Sequence, residues 1–194
     1  ESTEIYYRLL NCGFRLAATG GTDNFSDVWL DPSGGTARTY VHIDGAPPLT
    51  FSGWLDGVRE EKTFGTNGPL LFLNVGHGGL SPGTMLEPGE EFALESSDDT
   101  TFDISLAVTS LAPLERVEII VNGSVAHTWG EADFVGYNPN EVWKLSTTIE
   151  LPGSGWIAAR ASGPPSEYVG DAFPFAATSP VYVVRDGRNY TSVE

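Results

Sequence analysis

The sequence predicts an α/β segment followed by an all-β, immunoglobulin-like sandwich. Three observations carry that reading. Residues 1–68 read as helix, strand, strand, helix. A sharp turn at Thr66-Asn67-Gly68-Pro69 coincides with a change of composition. Beyond it, residues 69–194 carry about eight short strands with period-two alternation and turn signals between them. The 23 glycines and 13 prolines suit short strands and turns better than long helices.

Ser2 caps a first helix with Glu4 in its first turn, and Ile5, Leu9, Leu10 and Cys12 recur at helical spacing, joined by Tyr6. Gly13 supplies a left-handed cap. Phe14–Ala18 is an apolar run expected to form a buried strand, ended by Gly20-Gly21. Thr39–Ile43 is a β-branched and aromatic strand, and Leu49–Lys62 a second helix with Leu49, Trp54, Leu55 and Val58 on one stripe. In the second part, Leu70–Val75, Glu91–Leu94, Asp103–Thr109 and Arg116–Val121 read as strands; Ile104, Leu106 and Val108 share one face. Asn122-Gly123 is a hairpin dipeptide, since both turn positions require positive φ. Ser124–Trp129 follows it, and Trp143–Leu151 and Gly155–Ala161 are expected to form a second hairpin across Pro152-Gly153-Ser154. Val181–Arg185 closes the sandwich. Without a cysteine pair, its core depends on aliphatic residues, with Trp143 and Trp156 as candidate plugs between sheets.

The net charge of −16 argues against binding a phosphate backbone, which requires clustered Lys and Arg, so no nucleic-acid partner is expected. No apolar run reaches transmembrane length, and no membrane partner is expected. Cys12 lies in the apolar helix and is expected to be a buried thiol. The chain opens E-S-T-E without an initiator Met, so it reads as a piece of a longer protein.

Asp23 follows the Phe14–Ala18 strand and the Gly20-Gly21 turn, at the strand end where α/β proteins gather catalytic loops. An aspartate there equally serves as an ordinary turn cap. His42 reads as a structural strand histidine, His77 as an exposed loop residue in G-H-G-G, and His127 as solvent-facing. Glu90, Glu91, Glu95, Asp98, Asp99 and Asp103 form an acidic cluster without EF-hand spacing, expected to be a solvated face. Trp129, Tyr137 and Tyr168 are candidates for an aromatic face that binds sugar or a protein partner.

Five stretches occur together: Tyr6 to Leu16 (Y-Y-R-L-L-N-C-G-F-R-L), Gly20 to Phe25 (G-G-T-D-N-F), Lys62 to Leu71 (K-T-F-G-T-N-G-P-L-L), Leu114 to Gly123 (L-E-R-V-E-I-I-V-N-G) and Thr178 to Val183 (T-S-P-V-Y-V). In this order the set resembles the carboxyl-terminal part of CehA/McbA-type metallohydrolases of the PHP (polymerase and histidinol phosphatase) superfamily. The resemblance implies that residues 1–68 are the α/β remnant of a (β/α)7 barrel and residues 69–194 an immunoglobulin-like sandwich. It implies divalent metals (Zn, Mn or Fe) in the intact parent, with Asp23 a metal ligand and Asn24 a substrate-orienting residue. No H-x-H pair occurs in the chain, and position 25 is Phe where the late motif carries His. The resemblance therefore implies a carboxyl-terminal fragment of a metal-dependent ester, carbamate or phosphoester hydrolase, inactive alone and binding no metal itself. Its partner would be the missing upstream barrel portion or a second copy. A bacterial periplasmic or secreted parent fits this reading. The alternative is a non-catalytic sandwich module that binds carbohydrate or protein.

Overall fold

In the computed structural model, the described residues are 2–23, 34–45, 48–79, 83–134 and 141–192. The elements in chain order begin with α1 (Ser2–Asn11), β1 (Arg38–Val41), α2 (Phe51–Arg59), β2 (Thr63–Thr66) and β3 (Leu70–His77). Then come β4 (Met85–Leu86), β5 (Glu91–Leu94), β6 (Thr101–Thr109), β7 (Arg116–Val121) and β8 (Ser124–Gly130). After a short 3-10 turn, β9 (Trp143–Glu150), β10 (Gly155–Ser162), β11 (Phe175–Thr178) and β12 (Val181–Arg185) complete the chain.

The strands make two sheets. The smaller has the order β4-β3-β6-β9, all antiparallel. The larger is eight-stranded and centred on β10. One edge of β10 pairs with β7, which pairs with β8; its other edge is shared by β12 and β11. β11 continues to β2 and β1, and β12 pairs in parallel with β5. Leu71, Leu73 and Val75 of β3 and Ile104, Leu106 and Val108 of β6 point inward, against Val117 and Ile119 of β7 and Ile157, Ala159 and Ala161 of β10. This is a β-sandwich, and each fully buried Val, Leu or Ile side chain in it contributes about 1.5–3 kcal/mol.

A third layer covers the outer face of the larger sheet. Tyr7 and Leu10 of α1 pack on Ile120, Trp156, Ala158 and Tyr182. The Asn11 side chain joins the layers: its Nδ2 donates to Asn122 O (3.1 Å), and Trp156 Nε1 donates to its Oδ1 (2.9 Å). Past α1 the chain forms no strand over residues 14–23. Its backbone is satisfied by side chains instead: Ala18 N donates to Ser179 Oγ, Thr63 Oγ1 donates to Ala18 O, and Gly20 N donates to Thr39 Oγ1. Gly65 lets this segment lie directly on the sheet, since a Cβ there would sit 2.7 Å from the Thr19 carbonyl carbon.

The predicted barrel remnant is not seen among the described residues. β1 and β2 pair antiparallel, and β2 pairs antiparallel with β11, because Thr63–Thr66 is buried on both faces and completes the larger sheet. The turn at Thr66–Pro69, where the sequence predicts a domain boundary, carries the chain from the larger sheet to the smaller. Likewise Pro152-Gly153-Ser154 joins β9 and β10, which lie in different sheets, so it is a crossing and not a hairpin. Cys12 is exposed, because Tyr7 and Leu10 turn the other side of α1 to the sheet. Trp156 is buried under α1 instead of between the sheets, and Trp143 is only half-buried.

Candidate aromatic cleft

The most promising site is a cleft of about 440 Å3 where β1 and β2 meet the outer edge of β3. Its rings come from simple strand geometry. Tyr40 and Phe64 are cross-strand partners on β1 and β2, and their rings stack with centroids 4.9 Å apart at 4°. On β3 the core takes Leu71 and Leu73, so the alternation turns Phe72 and Asn74 outward. Phe72 meets Phe64 edge-on, with centroids 5.6 Å apart at 73°. Phe72 is 49% and Tyr40 39% exposed, so their ring surfaces remain available from solvent.

Charged groups on the cleft rim contact one another. His42 Nδ1 contacts Glu87 Oε2. Lys62 Nζ lies 2.6 Å from Asp44 Oδ2 and 3.0 Å from Glu60 Oε2. The hydrogen bond to Asp44, then that to Glu60, raises the Lys62 pKa, and Lys62 in turn lowers that of Asp44. Asn74 also lines the cleft, and its side chain has no hydrogen-bond partner among the described residues. Ring faces and the Asn74 amide thus line the same cleft.

Just past α2 the chain carries a buried carboxylate. Glu61 has φ +60° and is buried, accepting a hydrogen bond from Tyr182 OH. Desolvation raises its pKa, against the lowering effects of Tyr182 and Arg15. The Arg15 guanidinium sits 4.2 Å over the Tyr182 ring and pairs with Glu91.

Asp23 is exposed with φ +53°. Thr22 anchors its loop, accepting from Gly35 N and Ala37 N, and Asp23 itself gains no ligand partner among the described residues. Among the described residues no group of three or more His, Cys, Asp or Glu is placed to hold a metal ion. Asn24 lies outside the described residues, as does Tyr137. A separate groove of about 410 Å3 is lined by Tyr6, Gly20, Thr66, Asn67 and Asp171.

The histidines also differ from expectation. His42 is the exposed rim residue just described. His77 ends β3 and is buried, because its ring packs on Phe92 and Phe102 and its Nε2 meets Asp99 O at 2.8 Å. His127 is half-buried, edge-on to Trp129 at 4.5 Å. Trp129 itself is buried in the core and offers no face, whereas Tyr168 is exposed. The acidic cluster largely serves local structure: Glu90 accepts from Glu87 N, Asp98 from Glu95 N and Asp99 from Thr101 N.

No protein-family model matches the chain, and no curated protein matches it. Among solved structures, it is similar to a CARDB domain from Pyrococcus furiosus, with 16% identity and a TM-score of 0.33, over 60% of this chain and 95% of that one. It is also similar to a lytic polysaccharide monooxygenase from Jonesia denitrificans, with 19% identity and a TM-score of 0.31, over 77% and 78% of the two chains. At such scores neither likeness bears on the site. The β-sandwich stands on the strand pairing itself.

Proposed function

We propose that this chain is a β-sandwich binding module that takes a carbohydrate in the Tyr40–Phe64–Phe72 cleft. The observation that supports it most is the stacked Tyr40–Phe64 pair with Phe72 edge-on, in the cleft that Asn74 also lines. A pyranose ring presents C–H groups on its faces and hydroxyls on its rim. The aromatic surface complements the former, and Asn74, His42 and Lys62 complement the latter. A nucleic-acid ligand is disfavoured by the net charge of −16. Isothermal titration against a panel of neutral oligosaccharides tests the reading. Binding to at least one of them, weakened about tenfold or more by Phe72→Ala, supports it. Retention of full affinity in the Tyr40→Ala/Phe72→Ala double variant would place the site elsewhere.

A second reading, the carboxyl-terminal part of a PHP-type metallohydrolase, is supported by the resemblance of the five sequence stretches alone. In this reading Asp23 is a terminal ligand to one of the parent's metals, and the remaining ligands lie outside the present sequence. Metal analysis of the full gene product separates the readings: Asp23→Ala should lower its metal content if the hydrolase reading holds and leave it unchanged otherwise.

A further inference from the structure

The outer face of the smaller sheet continues directly from the cleft. The register sets its side chains in rows across β3, β6 and β9. Phe72 heads a row with Ala107 and Lys144; Asn74 heads the next, with Ser105 and Ser146. Both Phe72 and Asn74 also line the cleft. Ser105 and Ser146 are exposed, and neither side chain has a hydrogen-bond partner among the described residues. The Asn74 row is uncharged, with Lys144 and Asp103 confined to the rows on either side of it. Three strands span roughly 10 Å at ordinary strand spacing, about the length of two linked pyranose rings.

We propose that the bound carbohydrate is an extended, uncharged polysaccharide chain that leaves the cleft along the Asn74–Ser105–Ser146 row. The inference rests on the cleft reading and extends it from a sugar to a chain. A protein partner fits this face poorly, since the row lacks the large aromatic and Arg anchors that concentrate binding energy. Its small hydroxyls and amide instead match ligand hydroxyls, and their shortness keeps the surface level enough for a chain to lie on it.

Titration of the 194-residue chain with uncharged β-1,4-linked oligosaccharides of two and of six units (glucose, mannose and xylose series) tests the inference. The six-unit ligand of the preferred series should bind about tenfold more tightly than its two-unit counterpart. The Ser105→Ala/Ser146→Ala variant, altered only at exposed positions, should lose that advantage and keep its affinity for the two-unit ligand. Phe72→Ala should weaken both. Equal affinity for the two lengths, or an advantage that survives in the serine variant, overturns the extended chain while leaving the cleft reading intact. Failure of the unaltered chain to bind any of these ligands overturns this inference, and failure to bind any neutral oligosaccharide of the wider panel overturns the cleft reading as well.

Discussion

Replacing Asn11 with Ala tests whether α1 is an integral layer of the sandwich. The side chain makes two hydrogen bonds across the seam, to Asn122 O and from Trp156 Nε1. Losing a typical intramolecular hydrogen bond costs about 0.5–1.5 kcal/mol, and stranding a buried donor about 1–3 kcal/mol. Trp156 is 1% exposed, so its indole N–H has no ready access to water. The variant should therefore lose about 2–4 kcal/mol in urea unfolding. Repeating the measurement on Trp156→Phe isolates the indole bond. In that background the buried donor is already gone, and Asn11→Ala should cost only about 1 kcal/mol, for the Asn122 bond. A loss below about 0.5 kcal/mol, or the same loss in both backgrounds, would refute the seam as described.

Glu61→Gln should change how stability depends on pH. Burial raises the Glu61 pKa above its ordinary 4.5, so the folded state holds the proton more tightly than the unfolded chain. The contribution is fully present below pH 4.5 and is lost as pH rises through the folded value. The glutamine variant should thus gain on the parent as pH climbs from 4 to 8, and parallel pH–stability curves would contradict this. Gly89→Ala should be severely destabilising in thermal unfolding, because Gly89 has φ +90° and a Cβ there would lie 2.0 Å from the Glu60 carbonyl oxygen. Gly57→Ala should cost about 1–3 kcal/mol, as its Cβ would fall 2.3 Å from Val41 Cγ1 where α2 rests on β1.

Local chemistry was legible in the sequence wherever it decides the outcome alone. Asn122-Gly123 is the β7–β8 turn, with φ +51° and +85°, and the Ile104, Leu106, Val108 alternation faces the core as expected. What failed was pairing at a distance. Phe14–Ala18 has a strand's composition, but its backbone partners are the side chains of Ser179 and Thr63, far along the chain. Trp156 looked like a plug between sheets because nothing local reveals that α1 covers the outer face of β10. His77 sits in a glycine-rich string that mimics a loop, yet Phe92 and Phe102 hold it at a strand end. The cleft was missed because its three rings come from three strands. Its trace in the sequence was Phe72 and Asn74 on the outward phase of an otherwise inward Leu71, Leu73, Val75 pattern.

The sugar site is located most directly by amide and aromatic chemical-shift mapping by NMR. On addition of the neutral oligosaccharide that binds best, the resonances of Tyr40, Phe64, Phe72 and Asn74 should move together, followed by Ser105 and Ser146 as the ligand lengthens. Shifts confined to the groove around Tyr6, Thr66 and Asn67, with the cleft unmoved, would contradict the cleft reading.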